Sequence, residues 1–191
     1  MKGRSSGLLY TPWLVGKTMA IPGLKQTSSP IQISASVTEL APNTFVAETI
    51  ELSLNPLDSQ VFVVTQVNID VDAPDAVTAQ STACLASLST TQRTTVGDIR
   101  DQNVLGAASR QIICAAGMTA DGGHVFDRED PTYTSLSEDY IGIIATSNAF
   151  LNLIGDFNGN AKTCRVRIFG FRATASSSVY AALVQSEVLS A

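Results

Sequence analysis

The sequence predicts an all-β fold, an antiparallel sandwich of two sheets with about eight strands. Three observations support this prediction. Stretches in which apolar and polar residues alternate recur along residues 31–175. Clusters of Gly, Pro, Asn and Asp separate these stretches roughly every 8–15 residues. Little of the region shows the 3.6-residue apolar period of a helix. We therefore predict one β-sandwich domain over residues 31–191, preceded by a separate segment, residues 1–30.

Residues 1–30 show no regular period and contain Pro12, Pro22 and Pro30, yet they are rich in large apolar side chains. A disordered tail is normally poor in such residues. We therefore predict an extended N-terminal arm that buries its apolar groups, either on its own domain or on a neighbouring copy. The predicted anchors of this arm at a subunit interface are Tyr10, Trp13, Leu14 and Ile21.

The first predicted strands follow the arm. Residues 31–38 alternate cleanly between apolar and polar positions, which indicates a strand with one buried face. Residues 44–56 alternate with an imperfect phase, which favours a β-bulge. Residues 60–72 form the strongest strand pattern, with Val or another β-branched residue at each alternate position from Val61 to Val71. We predict that these alternate residues share one face.

The middle of the chain is less regular. Residues 76–92, rich in Ser, Thr and Ala, predict one or two strands. Residues 95–111 contain two glycines that bracket a short stretch for which we predict a helix of about two turns. Residues 111–119 predict a short buried strand. The acidic residues 121–139 have little periodicity and are predicted to form a long connection.

Strand character resumes at residues 139–156, and Asn158-Gly159 follows. Asn-Gly between two apolar runs is typical of a two-residue hairpin turn, in which both residues need a positive φ. We therefore predict that residues 163–174 pair with the strand before the turn. The chain closes with a short predicted helix within residues 176–191, capped at its start by a serine.

Composition restricts the function. The net charge is −5 and charged residues make up 15% of the chain, against about 25% in a typical soluble domain. Binding to nucleic acid needs a basic surface, so we expect no direct nucleic-acid binding. Few charges are typical of a subunit whose sides are covered by neighbouring copies. Arg165 and Arg167 share one face of a strand and are predicted to face solvent or to pair across a subunit contact.

Cysteine spacing indicates no zinc site. Cys84, Cys114 and Cys164 are far apart in apolar or strand-like stretches, with no CxxC pair. We predict three buried thiols, with a single disulfide bond as the alternative. The sequence also lacks the usual nucleotide-binding and hydrolase motifs. We predict no catalytic residue, no cofactor and no enzymatic activity.

The strongest chemical candidate is the acidic stretch DGGHVFDREDP around the single histidine, His124. Asp121 and Asp127 stand three residues to either side of it, and such a set in a loop could bind a divalent cation. Catalytic zinc sites need more imidazole or thiolate ligands than one histidine supplies. We therefore assign no metal and keep Asp121, His124 and Asp127 as candidate ligands, with a plain acidic loop as the alternative.

Several stretches together resemble the major capsid proteins of viruses of the single jelly-roll kind. They are the proline-punctuated arm LLYTPWLVGKTMAIPGLKQTSSP, the strands IQISASVTELAPNTFVAETIELSL and QVFVVTQVNIDVDAP, and the C-terminal YIGIIATSNAFLNLIGDFNGNAKTCRVRIFGFRA. The resemblance covers residues 31–175. It implies a jelly roll of two four-stranded sheets whose copies self-assemble into an icosahedral shell, which places the protein in the virion.

The implied partners are other copies of the chain and other capsid proteins. Many capsid arms are rich in Arg and Lys, whereas this one has only Lys2, Arg4, Lys17 and Lys25. That difference favours a genome that is condensed separately or enclosed by an inner membrane close to the shell. The alternative function is a monomeric carbohydrate-binding or adhesion β-sandwich, which would present an exposed aromatic groove.

Overall fold

The computed structural model describes residues 21–114 and 140–189, together with the backbone of residues 124–128. Within these ranges the chain is built from strands and one C-terminal helix, which confirms the predicted all-β sandwich. The strands are β1 (Leu24–Gln26), β2 (Ile31–Thr38), β3 (Val46–Glu51), β4 (Gln60–Val71), β5 (Thr82–Ser89), β6 (Val104–Ile113), β7 (His124–Arg128), β8 (Gly142–Ile144), β9 (Asn148–Asp156) and β10 (Thr163–Ala175), and the helix is α1 (Ser177–Leu189).

The strand order is that of a jelly roll. Sheet A has the order β2-β10-β4-β8, and the short β1 continues the line of β2 beside β10. Sheet B has the order β3-β9-β5-β6-β7. If β1 and β7 are set aside and the other strands are numbered along the chain, the two sheets read 1-8-3-6 and 2-7-4-5. This is the arrangement of eight antiparallel strands in two Greek keys that defines a jelly roll.

The antiparallel strands place successive connections at opposite ends of the sandwich. The first end, called the loop end, carries the connections of residues 39–45, 72–81 and 157–162. The other end, called the helix end, carries residues 52–59, 90–103 and 145–147 together with α1. In the described part of the chain, no helix combines the length and the apolar character needed to cross a membrane.

The main core fills the space between the two sheets. It draws on alternate residues of the central strands, which supply large aliphatic side chains and one phenylalanine. Removing each from water stabilises the fold by roughly 1.5–3 kcal/mol. The largest fully buried members are Leu52, Phe62, Val64, Val71, Leu88, Ile144, Leu151, Leu153 and Ile168.

A β-bulge at Thr65 changes which residues of β4 face the core. The register between β4 and β10 shifts by one residue there, so no residue of β10 stands opposite Thr65. On the N-terminal side of the bulge, Phe62 faces the core, whereas Val61 and Val63 lie on the outer face of sheet A in a second apolar cluster beneath α1. The prediction that alternate residues from Val61 to Val71 share one face is therefore wrong, because one extra residue inverts the alternation.

The predicted Asn-Gly hairpin is also wrong, since β9 belongs to sheet B and β10 to sheet A. The turn joins the two sheets instead. The side-chain oxygen of Asn158 accepts a hydrogen bond from the backbone N–H of Asp75 at 2.9 Å, which fastens the turn to another connection. The residue with a left-handed backbone is Phe157, at φ 52°, rather than either turn residue that a hairpin would require.

Residues 90–103 form a loop and not the predicted helix; β6 begins at Val104. The loop is held by polar contacts with sheet B and within itself. The N–H of Gly97 donates to the buried Ser87 Oγ at 2.9 Å, and Arg93 donates to Asn103 and Asp101, each at 2.9 Å. These contacts replace the hydrogen bonds that a helix would have made. The strand predicted at 111–119 is, as far as it is described, the end of β6, but its predicted burial is wrong, because Ile112 is only half-buried and Ile113 is exposed.

Part of the predicted arm is joined to the sandwich. Ile21 and Leu24 bracket a turn in which the N–H of Leu24 donates to the carbonyl of Ile21 at 3.0 Å. Gly23, at φ 82°, provides the left-handed residue that this turn needs. β1 then pairs with the end of β10. The other predicted anchors, Tyr10, Trp13 and Leu14, lie outside the described residues, and the boundary at residue 30 stays a prediction.

Candidate assembly surface

The candidate metal ligands do not form a loop in the described backbone. His124 and Asp127 belong to β7, where they stand opposite Ile113 and Arg110 of β6. The prediction of a connection without secondary structure is therefore wrong for residues 124–128, because β7 extends sheet B at this point. Asp121 lies outside the described residues. Among the residues described in full, no group of three or more His, Cys, Asp and Glu side chains could hold a metal ion.

The cysteines of the described residues are all free thiols. Cys84 and Cys164 are buried, while Cys114 is only half-buried, so the prediction of three buried thiols is wrong for Cys114. Burial away from water raises the pKa of Cys84 to about 11 and that of Cys164 to about 12. Both therefore stay protonated near neutral pH, and a protonated thiol is a poor nucleophile.

The loop end is held by an ion pair that the sequence did not reveal. Lys162 is almost fully buried, and its Nζ donates to Asp75 Oδ1 at 2.6 Å and to the Ala73 carbonyl at 3.0 Å. The other oxygen of Asp75 accepts from the backbone N–H of Asn160 at 2.8 Å. The pair joins residues 72–81 to residues 157–162. Burying a charge is costly unless it is paired and hydrogen-bonded, so both loops are confined to one arrangement.

We expect Asp75→Asn to lower the free energy of unfolding by about 2 kcal/mol near neutral pH, because Lys162 would keep a buried charge without a counter-ion. The hydrogen bond from Lys162 holds the pKa of Asp75 below its usual range. A lowered folded-state pKa contributes stability that is present above the unfolded pKa, about 4, and is lost as the pH falls through the folded pKa.

Denaturant unfolding of both proteins between pH 2 and pH 7 checks this expectation. The difference between wild type and variant should be largest above about pH 5 and should shrink below about pH 4. A difference that stays constant across this range would show that the ion pair is not its source.

A buried carboxylate, that of Glu39, also ties the loop end together. Its Oε1 accepts from the backbone N–H groups of Thr44 at 3.1 Å and Gly155 at 2.7 Å, and its Oε2 from that of Lys162 at 2.9 Å. Thr44 belongs to the same connection as Glu39, Lys162 to residues 157–162 and Gly155 to the end of β9. The loop end is thus a pre-ordered surface, which lowers the entropy lost when it meets a partner.

The outer face of sheet A is polar on its loop-end half. A shallow groove of about 510 Å³ runs over β2, β10 and β4 and is lined by serine, asparagine and charged residues together with Ala35 and Val166. Arg165 pairs with Asp72 at 2.9 Å and approaches Asp70 at 3.8 Å, so one of the two predicted arginines makes an ion pair within its own chain. Arg167 is exposed beside it, between Ser34 and Asn68 in the register.

At the helix end, α1 is fixed to the turn between β8 and β9. The carboxylate of Glu187 is buried and accepts from the backbone N–H groups of Ala145 at 2.9 Å and Thr146 at 3.0 Å. Burial raises the pKa of Glu187 despite these two bonds. The helix therefore caps the outer face of sheet A and covers the second apolar cluster.

One long side of the sandwich is open. β2 and β3 are edge strands of sheets A and B, and within the described residues no strand pairs with their outer edges. The core-side residues Ile31, Ile33 and Ala35 of β2 and Val46 of β3 are only half-buried there, although they pack against the main core. This side, called the β2–β3 side, is where apolar surface is left for a further segment or copy to cover.

Searches for similar proteins give a limited picture. A scan against protein-family models found no match, and a search of curated proteins found none. Similar solved structures include a chain of Desmodium yellow mottle tymovirus, 11% identical over 92% of this chain and 94% of that one, with a TM-score of 0.27. A chain of turnip yellow mosaic virus is 11% identical over 78% and 95%, with a TM-score of 0.27. These superpositions are loose, so the jelly-roll assignment rests on the strand order.

Sequence reasoning missed the buried polar groups that order the two ends. Glu39 directly follows the alternating residues of β2, where a charged residue is normally solvated. Lys162 and Glu187 likewise occupy positions that read as surface. The one available signal is the low content of charged residues, 15% of the chain. With so few charges, each charged residue beside a turn is a candidate for a structural role.

Proposed function

We propose that this chain is a capsid protein, a subunit whose copies self-assemble into the icosahedral shell of a virion. The observation that carries the proposal is the jelly-roll strand order, an architecture found in viral capsid proteins, lectins and cupins. The open β2–β3 side supports it, because half-buried apolar edges favour contact with further chain. The low charge of the sequence supports it as well.

The two other jelly-roll classes fit less well. A cupin site draws several metal ligands from the strands, and this chain has a single histidine. A lectin needs an aromatic platform beside polar groups, whereas the groove over sheet A is lined by small polar and charged side chains. We therefore infer a structural role and not an enzymatic one.

Contacts between copies would use the loop end, the helix end and the N-terminal arm. Leu40 at the loop end and Leu57 at the helix end are 92% and 93% exposed, so each offers apolar surface to a neighbour. The arm would contribute Tyr10, Trp13, Leu14 and Ile21 to the subunit interface. Each contact has to offset several kcal/mol of lost rigid-body freedom, which a closed symmetric shell achieves by repeating it.

The acidic character of the chain bears on the contents of the shell. The net charge is −5, and Arg165 is already paired with Asp72. We propose that the genome is condensed by other components or enclosed by an inner membrane, that the chain does not bind nucleic acid directly, and that other capsid proteins complete the shell.

Electron microscopy and sedimentation of the purified chain test the proposal. We expect closed particles, or ring-shaped capsomers that form reversibly as the protein concentration rises. A chain that remains strictly monomeric at millimolar concentration, across a range of salt and pH, would overturn it.

Removal of residues 1–20 should leave the sandwich folded and weaken assembly. This cut keeps Ile21 and β1, which pack on the second apolar cluster and pair with β10. We expect the unfolding transition to remain cooperative while particle yield falls by at least about tenfold, since large aromatic anchors commonly contribute 2 kcal/mol or more to an interface. Loss of the cooperative transition would instead give the arm a role in the core.

The alternative function is a carbohydrate-binding or adhesion module that would use the groove over sheet A, although no aromatic side chain lines it. Ser34, Asn68 and the exposed Arg167 could hydrogen-bond to sugar hydroxyl groups there. A glycan array decides between the two: specific binding by a stable monomer, abolished by Arg167→Ala, would favour the adhesion module.

A further inference from the structure

The free edge of β2 lacks the features that normally prevent an edge from pairing. β2 is eight residues long, and its sequence IQISASVT contains no charged residue and no proline. Its register with β10 runs without a bulge from Thr38 to Ile31. Natural edge strands are usually short, charged, bulged or interrupted by proline, because an unprotected edge adds further strands. The free edge of β2 is therefore open to pairing with a further strand.

The acidic residues of the neighbouring edge strand, β3, indicate which kind of segment could cover the β2–β3 side. Glu48 of β3 lies between Val46 and Ile50 in the core-facing alternation, yet it is exposed, so its carboxylate stands at the β2–β3 side. Glu51 is exposed further along the same strand. A segment that covers the half-buried β2 residues would therefore need apolar side chains and basic flanks.

The N-terminal arm has this composition. Residues 1–20 carry Lys2, Arg4 and Lys17 and no acidic residue, and the uninterrupted stretch between the last two basic residues is uncharged. Residues 8–15, LLYTPWLV, are almost entirely apolar and as long as β2. Pro12 within them is acceptable only in a strand that has a free edge of its own. Such a strand would also leave the finished sheet with a protected edge.

The place where the arm joins the domain sets its direction. The turn at Ile21–Leu24 reverses the chain, so the preceding segment is aimed back along the line of β1 and β2. Leu24 pairs with Ala175 and Ile31 with Gly170, so the line of β1 and β2 advances by five residues of β10 between them. At about 3.3 Å per residue, an extended arm would bring Gly16, five residues before Ile21, level with Ile31, and residues 8–15 would then run alongside β2.

We propose that residues 8–15 add as an antiparallel strand to the free edge of β2 in the same chain and close the β2–β3 side. A tether this short gives the arm a millimolar effective concentration at its own edge. The pairing concerns a single chain and does not depend on shell formation. In this position Tyr10 and Leu14 would face the β2–β3 side of their own chain, so within residues 8–15 Trp13, on the opposite face, would be the anchor left to contact a neighbouring copy.

Residue-resolved amide exchange on the monomer tests the pairing. In a dilute sample shown by sedimentation to be monomeric, every second amide of β2 should be protected by the arm, while the alternating set is protected by β10. Deletion of residues 1–20 should speed exchange of the first set by at least about tenfold and leave the β10-bonded set nearly unchanged.

Point substitutions separate pairing from general effects of the deletion. Leu8→Asp combined with Leu14→Asp should have the same effect as the deletion, because it places acidic groups against the half-buried apolar residues of the β2–β3 side and near Glu48. Ser5→Asp combined with Ser6→Asp makes the same change of charge outside the pairing stretch and should leave exchange unchanged. Glu48→Lys should speed exchange, whereas Asp156→Lys, at an exposed position on β9, should not.

The outcomes are distinct from those that test the capsid proposal. Protection of β2 in a monomer that never forms particles supports the pairing while the capsid proposal fails. Equal exchange in the full chain and in the deletion variant overturns the pairing. Protection that appears only at concentrations where the mass doubles also overturns it, because the arm would then be paired with a neighbouring copy.

Discussion

Gly170→Ala should lower the free energy of unfolding by about 3 kcal/mol, at the upper end of what overpacking usually costs. Gly170 lies in β10 at the point where the register with β4 shifts. A Cβ at this position would stand 2.7 Å from Cε1 of Phe62 and would also clash with the carbonyl oxygen of Val63. Neither group can retreat, since Phe62 is fully buried and Val63 belongs to the central strand.

Equilibrium unfolding in denaturant measures this effect, with the slope of the transition showing whether the denatured state has changed. Gly159→Ala is the matched control. A Cβ there would meet only Asp75 Oδ2, at 3.7 Å, which is an ordinary contact. We expect that variant to stay within about 0.5 kcal/mol of the wild type. Equal losses in the two variants would show that the steric argument at the bulge is wrong.

Glu39→Ala is the other large effect, and we expect a loss of about 4 kcal/mol. The substitution leaves the backbone N–H groups of Thr44, Gly155 and Lys162 without their acceptor. Two of these donors, those of Gly155 and Lys162, are buried. A buried donor without a partner costs about 1–3 kcal/mol, and such costs within one network are not additive. The loss should therefore exceed that of any single hydrogen bond.

Two further variants interpret that result. Glu39→Gln keeps one acceptor oxygen but turns an amide N–H₂ toward a backbone donor, so it should lose about half as much. Glu51→Ala removes an exposed carboxylate from the neighbouring edge strand and should stay within about 0.5 kcal/mol of wild type. If Glu39→Ala were no more costly than Glu51→Ala, the loop end would be held by other groups.

Assembly should follow these stability effects only in part. Glu39→Ala loosens the loop end, so its particles should form less readily even where the chain remains folded. Gly170→Ala acts in the middle of sheet A and should not alter assembly at temperatures where it is folded. A comparison of particle yield at 10 °C for the two variants would separate a local surface effect from a general loss of stability.

The alternation of apolar and polar residues correctly predicted the buried face of a strand wherever only one face of that strand packs on the core. β2 was predicted with its observed bounds, because Ile31, Ile33, Ala35 and Val37 all point to the core while the residues between them face solvent. The C-terminal helix was also predicted. β4 was correctly predicted as a strand, but the residues predicted to share one of its faces do not. The bulge shifts the alternation, and the covering helix gives the strand a second buried face.

The candidate functional residues also divide into those that the sequence allowed us to judge and those that only the structure revealed. The single histidine and the scattered cysteines led to the prediction that no metal or catalytic centre exists, and this stays a prediction. The buried carboxylate of Glu39 and the pair of Lys162 with Asp75 were not foreseen. Each depends on connections that are distant in sequence, such as the Lys162–Asp75 contact across 87 positions.

The sequence by itself determined that the chain is all-β, which residues of the regular strands face inward, and that few charges are available for the surface. These properties are local, since they follow from the period of apolar residues within one strand. Only the tertiary structure decided which strands pair, that β9 and β10 belong to different sheets, and which edge is left open. Pairing depends on competition among distant segments for the same backbone donors and apolar surface, and a single strand's alternation is compatible with many partners.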